Sequence, residues 1–100
     1  MKPAPSGPLE GLRVLDLARG TAGAIAGQLF ADYGAEVLRI EPPGGDPLWD
    51  ELRAYPVWHR GKSIVEVDLA APRAHEAILR RLERADVLLE SFAPGTMARF

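Results

Sequence analysis

RVLDLARGTAGAIAGQLFADYGAEVLRIE, residues 13–41, is the stretch that decides the fold. Its first five residues, Arg13-Val-Leu-Asp-Leu17, form an apolar run of strand length. From Thr21 onward the pattern changes. Ala22, Ile25, Ala26, Leu29, Phe30 and Tyr33 recur at helical spacing and predict a helix with that apolar face turned inward. Gly34 stands where a helix takes a left-handed terminating residue. Ala35-Glu-Val-Leu-Arg-Ile-Glu41 is a second strand, stopped by Pro42-Pro43-Gly44-Gly45. Strand, helix and strand in so short a span make a βαβ unit, whose crossover is expected to be right-handed.

Working outward, residues 42–62 carry four prolines, three glycines, Trp49, Tyr55 and Trp58, with no clear period. A loop of this length inside a small domain is functional or a partner surface, and its aromatics anchor it on the core or on another chain. Ser63–Leu69 alternates and is rich in β-branched residues, which predicts a third strand. Pro72 is placed as the first residue of a second helix with the face Ala74, Ala77, Ile78, Leu82 and Ala85. Ala71 is a poor cap for it, having no side-chain oxygen to offer. Asp86–Glu90 is a fourth strand, and Ala93-Pro94-Gly95 starts a third helix containing Met97 and Phe100. The order of elements is that of an α/β fold, a Rossmann-like, doubly wound and mostly parallel sheet with its far half missing. Residues 1–10 read as a flexible arm, and residues 11–100 as the N-terminal part of an incomplete domain.

Composition narrows the function classes. One hundred residues, 47% hydrophobic and 26% charged, suit one globular domain. A net charge of -2 argues against nucleic-acid or acidic-membrane binding. The chain has no cysteine and only two histidines, so a thiolate nucleophile and a metal centre are not expected. No apolar stretch approaches the roughly 18 residues of a membrane span, and Met1–Pro8 lacks the pattern of a secretory signal. A soluble, cytoplasmic protein is expected.

Ligands of open α/β sheets bind beyond the carboxyl ends of the strands. At the first such end, Gly20-Thr-Ala-Gly23 with Gly27 has the spacing GxxGxxxG. It serves either close packing of helix on sheet or the approach of a phosphate to free helix N–H groups. His59-Arg-Gly-Lys62 reads as a solvated basic edge or a phosphate contact. Phe92 reads as a core residue or a platform for an adenine ring, and Arg99 as a surface charge or a phosphate partner. Asp68 and Glu90 both lie near strand ends, although turn roles explain most such carboxylates. His75 is expected to be exposed, and His59 has no evident triad partner. No catalytic group is assigned.

The succession of motifs is more specific than any one of them. Pro8-Leu-Glu-Gly-Leu-Arg-Val-Leu-Asp-Leu17, Ala31-Asp-Tyr-Gly-Ala-Glu-Val37, Arg39-Ile-Glu-Pro-Pro-Gly-Gly-Asp-Pro47, Arg60-Gly-Lys62, Val67-Asp-Leu69 and Glu90-Ser-Phe-Ala-Pro-Gly95 resemble the start of a class III CoA-transferase. This family includes formyl-CoA transferases, carnitine CoA-transferases and α-methylacyl-CoA racemases. The resemblance implies the N-terminal half of a Rossmann-like large domain. It further implies acyl-CoA and carboxylic acid substrates, no tightly bound cofactor, and an interlocked homodimer when the chain is full length. Carried over by position, Arg19, Gly20, Thr21, Ala22, Val67, Leu69, Ala70, Ser91, Phe92 and Arg99 correspond to CoA-contacting residues. The family usually has asparagine at Ser91, and formyl-CoA transferase-like members have a CoA-binding arginine at Pro42. The nucleophilic aspartate of the transferases, like the histidine–aspartate pair of the racemases, corresponds to positions beyond Phe100. A racemase, or a non-catalytic CoA-binding or partner module, is the alternative.

Overall fold

Side-chain alternation along the two central strands divides the interior into two layers. In the computed structural model, which describes residues 7–100, these strands are β1 (Arg13–Asp16) and β2 (Glu36–Glu41). Leu15, Leu17 and Ile40 point to one side and form a cluster with Ile78. Val14 and Val37 point to the other, with Ala35 and the half-buried Phe30 and Ala31. Around these strands come α1 (Gly20–Asp32), the short helices α2 (Leu48–Glu51) and α3 (Tyr55–Trp58), β3 (Ser63–Glu66), α4 (Ala74–Leu82), β4 (Val87–Leu89) and the single turn α5 (Thr96–Arg99). The four strands are all parallel, in the order β3-β2-β1-β4. Register pairs Asp16 with Arg39 and with Leu89, and Glu41 with Glu66. With helical cover on both faces, the sheet is the doubly wound α/β arrangement that the sequence predicts.

Several boundaries differ from the sequence reading. The third strand ends at Glu66, because Asp68 closes a turn in which its Oδ1 accepts from Ala70 N at 3.0 Å and its carbonyl from Ala71 N at 3.0 Å. That turn also delays α4. Its N-cap is Arg73, which makes no side-chain cap, and Pro72 lies in the preceding turn instead of opening the helix. A residue before proline avoids the helical region, so Ala71 cannot lead directly into one. Residues 42–62 are not a bare loop. They fold into α2 and α3 and bury Tyr55 completely, so this aromatic anchors the segment on the chain's own core. Of the arm expected over residues 1–10, residues 1–6 lie outside the described residues. Gly7–Glu10 forms turns, Leu9 N donates to Tyr33 O at 2.9 Å, and the Leu9 side chain packs against the Val14 cluster.

The largest correction concerns α1. The predicted inward face is largely outward, with Ile25, Leu29 and Tyr33 39, 53 and 53% exposed. Gly23, Ala24 and Gly27 face the sheet instead. Hydrophobic periodicity weighs large side chains, whereas this interface needs small ones. A Cβ on Gly23 would overlap the Ala18 methyl, and one on Gly27 would lie 2.6 Å from Lys62 Nζ and 2.9 Å from Asp16 Oδ2. The glycine spacing therefore serves close packing of helix on sheet. Gly23→Ala is predicted to cost about 1–3 kcal/mol in denaturant unfolding, whereas Leu29→Ala should change stability by no more than about 0.5 kcal/mol. The reverse ranking would mean that α1 is rotated.

Candidate functional site

Toward the carboxyl edge of the sheet the inward positions of β1 and β2 stop being apolar. Asp16 follows Val14 on the α1 side, and Arg39 follows Val37. Both are fully buried. The Arg39 guanidinium donates from Nε to Glu41 Oε2 at 2.8 Å, from NH2 to Asp46 Oδ2 at 2.7 Å and to Tyr55 OH at 3.1 Å, and from NH1 to Ala18 O at 2.8 Å. Its NH1 also lies 3.7 Å from Asp16 Oδ2. The Tyr55 hydroxyl donates to Asp46, and Trp49 Nε1 donates to the Glu41 carboxylate. Lys62 adds a second buried cation, with Nζ 3.4 Å from Asp16 Oδ2 and donating to Ala24 O at 3.1 Å. Three carboxylates, Asp16, Glu41 and Asp46, thus face Arg39, Lys62 and the half-buried Arg19. Removing one member of such a set strands an opposite charge in the interior, at about 3–5 kcal/mol.

The basic cluster His59–Lys62 therefore divides. Arg60 does sit on the surface, paired with Asp32 at 2.8 Å. Lys62 and His59 do not: the Lys62 side chain has no exposure and His59 is buried. Lys62 has no acceptor to offer, so His59 Nδ1, 2.8 Å from Nζ, must accept, and the ring proton is assigned to Nε2. Burial, reinforced by the charges of Arg39 and Lys62, pushes the His59 pKa down to about 4, so the ring is neutral. Burial also raises the Glu41 and Asp46 carboxyls, but their hydrogen bonds outweigh it. Arg39, Trp49 and the Asp46 amide hold Glu41 below its ordinary value. The Tyr55 hydroxyl, the Leu48 amide and nearby Arg39 do the same for Asp46.

Above this buried layer lie the candidate ligand contacts, in two groups. In the first, Ser91 Oγ accepts from Arg19 N at 2.7 Å and donates to Arg19 O at 2.8 Å, and the Arg19 guanidinium stands 5.9 Å from the centre of the Phe92 ring. Arg19 NH1 donates to Ile40 O at 2.8 Å, which turns the guanidinium across the end of β2. Gly20, at φ +82, opens α1 directly after Arg19, with Thr21 and Ala22 exposed in the first turn, where the helix N–H groups are free. In the second group, Leu69, Ala70 and Arg99 line a cavity of about 520 Å³ between α4 and α5, with Ile78 and Phe100 among its walls. Phe92 and Phe100 meet edge to face at 5.7 Å and join the two groups. Val67 is placed differently. Its side chain, like that of the half-buried Phe92, packs on the Leu15 cluster. Asp68 and Glu90 each accept from an amide two residues on, as turn carboxylates. His75 is exposed, with Nδ1 2.9 Å from Phe100 O.

The buried charges escaped the sequence reading, although a signal was present. Asp16 and Arg39 stand two residues after Val14 and Val37, at positions where alternation puts them on the same face as those buried valines.

Comparison with known proteins places this arrangement. The sequence model of CoA-transferase family III matches residues 9–100. The chain is 43% identical to the probable fatty acyl-CoA transferase Rv3272 of Mycobacterium tuberculosis, over 95% of this chain and 27% of that protein. It is 41% identical to the succinyl-CoA–D-citramalate CoA-transferase of Chloroflexus aurantiacus, over 93% of this chain and 25% of the relative. The crystal structure of Rv3272 superposes with a TM-score of 0.86 at 45% identity, covering 95% of this chain and 27% of that one. A CAIB/BAIF family protein of Brucella suis superposes at 0.79 with 30% identity, over 94% and 28%. The chain thus spans about a quarter of the length of the relatives it matches.

The buried groups predict an acid limit to stability. His59 titrates near 4 when folded and near its ordinary value of about 6.5 when unfolded. Its stabilising contribution is complete above the higher value and is lost as pH falls through the lower one. The depressed carboxyls of Glu41 and Asp46 add a loss of the same sign at the acid end. Thermal midpoints should therefore decline from about pH 6.5 to 4, and His59→Gln should flatten that decline. An equally steep decline in the variant would remove His59 from the account.

Proposed function

The chain belongs to CoA-transferase family III, and we propose that it forms the N-terminal, CoA-binding segment of an enzyme that moves CoA from an acyl-CoA thioester to a carboxylic acid. One observation carries this reading. The carboxyl ends of parallel strands bring Arg19, Ser91 and Phe92 into contact, beside a cavity lined by Leu69, Ala70 and Arg99. This juxtaposition is unlike an ordinary core. An aromatic ring, a cation on its face and a second cation across an apolar cavity suit a ligand with a purine and phosphate groups.

In this reading the adenine stacks on Phe92, and Arg99 pairs with a phosphate. The first turn of α1, from Gly20 through the exposed Thr21 and Ala22, offers its free N–H groups to the CoA chain. Leu69 and Ala70 give the cavity its apolar wall, and Val67 supports that wall from within the core. The chemical step belongs to an aspartate in a segment following this one. Its carboxylate attacks the thioester carbonyl, the C–S bond breaks, and CoA leaves as the thiolate, with the acyl group held as a mixed anhydride. The thiolate then attacks the aspartyl carbonyl and expels the donor carboxylate, leaving an aspartyl-CoA thioester. The acceptor carboxylate displaces CoA from that thioester to form a second anhydride, and the thiolate attacks the acceptor carbonyl, giving the new acyl-CoA and freeing the aspartate. No covalent role falls to residues 1–100. The apolar, exposed face of α1, with Ile25, Leu29 and Tyr33, supports pairing with a second chain in an interlocked homodimer. A cytoplasmic location is part of the same proposal.

Phe92→Ala and Arg99→Ala are each expected to raise the dissociation constant for CoA in the full-length protein by about tenfold or more, as measured by titration calorimetry. Arg99→Ala should also lose preference for CoA over its 3′-dephospho form. Glu76→Ala, at an exposed position of α4, should leave binding unchanged. CoA affinity that survives both of the first two substitutions would overturn the site assignment.

A further inference from the structure

We propose that Arg39, whose side chain is only 1% exposed, is a positioning residue that holds the β1–α1 turn in the shape that receives CoA. The inference rests on the CoA-binding reading above and goes beyond it, because Arg39 is too deeply buried to touch a ligand.

The turn is held mainly through its backbone. Ala18 O accepts from Arg39 NH1 at 2.8 Å, and Ala18 N donates to Asp16 Oδ1 at 2.9 Å, so both backbone polar groups of this residue are held from beneath. The next residue, Arg19, is held from above and from the side. Ser91 Oγ bonds both its N–H and its carbonyl, and its own guanidinium reaches Ile40 O, the residue after Arg39. Gly20 then takes a left-handed φ of +82, which glycine reaches without strain, so its flanks rather than its own torsion preferences set the shape of the turn. On the Ala18 side the short bond is that of Arg39, at 2.8 Å, while Arg19 NH1 stands 3.4 Å from the same carbonyl. Lys62, the other buried cation, reaches Ala24 O one turn into α1.

The remaining donors of Arg39 explain why this side chain can be so exact a strut. Glu41 and Asp46 each accept at under 3 Å, and Tyr55 OH lies at 3.1 Å. The planar fork is thereby locked from three sides, and NH1 has one direction left. A lysine has three donors on a rotatable ammonium and cannot reproduce this set at once. The segment 42–62 is therefore mechanically linked to the ligand turn, since Asp46 and Tyr55 orient the guanidinium that holds Ala18.

Two substitutions in the full-length protein separate positioning from mere stability, with CoA itself as the probe and denaturant unfolding recorded alongside. Arg39→Lys keeps the charge and loses the fork. It is expected to raise the CoA dissociation constant about tenfold, after correction for the native fraction. Val14→Ala opens a cavity in the core away from this network. It should lower the unfolding midpoint yet leave CoA affinity within about twofold, after the same correction. Equal CoA affinity in Arg39→Lys and the unaltered protein overturns the proposal, as does a loss in Val14→Ala as large as that in Arg39→Lys. Where Arg39→Lys does not fold, Tyr55→Phe loosens the same guanidinium more gently, because it removes a neutral partner and strands no charge. A weakening of about threefold is then expected, and unchanged affinity counts against the proposal. Absence of CoA binding in the unaltered protein is a different result, since it overturns the functional reading itself.

Discussion

The guanidinium of Arg39 lies among three carboxylates, a phenol and a backbone carbonyl, out of contact with water, and the carboxyl edge of the sheet is organised around it. A buried cation is tolerated only when its donors are matched and its charge is balanced. Satisfying that requirement fixes much else. Glu41 must end β2 pointing inward, the chain must return at Asp46, and Tyr55 must be delivered by a helix to complete the shell. The prolines and glycines of residues 42–47 give the chain the bend that brings Asp46 back beneath Arg39. What looks in sequence like an irregular insertion is the covering of a charge.

The same constraint explains why α1 is built from small residues where it meets the sheet. Beneath it lie Asp16 and the Lys62 ammonium, which need room and cannot be displaced without breaking their pairing. Gly23 and Gly27 allow the helix backbone to approach, and Lys62 in turn bonds a carbonyl of the helix. The bulky apolar residues of α1 are then left on its outer side. Ile25, Leu29 and Tyr33 thus form an exposed apolar flank, the kind of surface that another segment or another chain covers.

Much of this was legible in the residues. The strands announce themselves by apolar runs, and turns rich in proline and glycine mark their ends. The convergence of Arg19, Ser91 and Phe92 follows from parallel strands whose carboxyl ends must share an edge. Other features were not legible. Periodicity points to the wrong face of α1 because it favours large side chains, whereas close contact with Ala18 and with the Lys62–Asp16 pair admits only glycine. The entry to α4 was misplaced because Pro72 suits a first helical turn in isolation, while the Asp68 turn occupies the residues before it. Lys62 read as a solvated charge because its partner Asp16 lies far away in the chain.

By itself, then, the sequence determined the class of fold, the order of its four strands and of the helices outside residues 42–62, and the family, since each is written in patterns only a few residues long or in motifs kept in order. Only the tertiary structure decided which charges are buried, which helix face meets the sheet, and what holds the turn before Gly20. Those outcomes depend on register, which sets Asp16 beside Arg39, and on the return of Asp46, Tyr55 and Lys62 to the same point. A buried charge is stable only when all its partners arrive together, and no local stretch of sequence contains that condition.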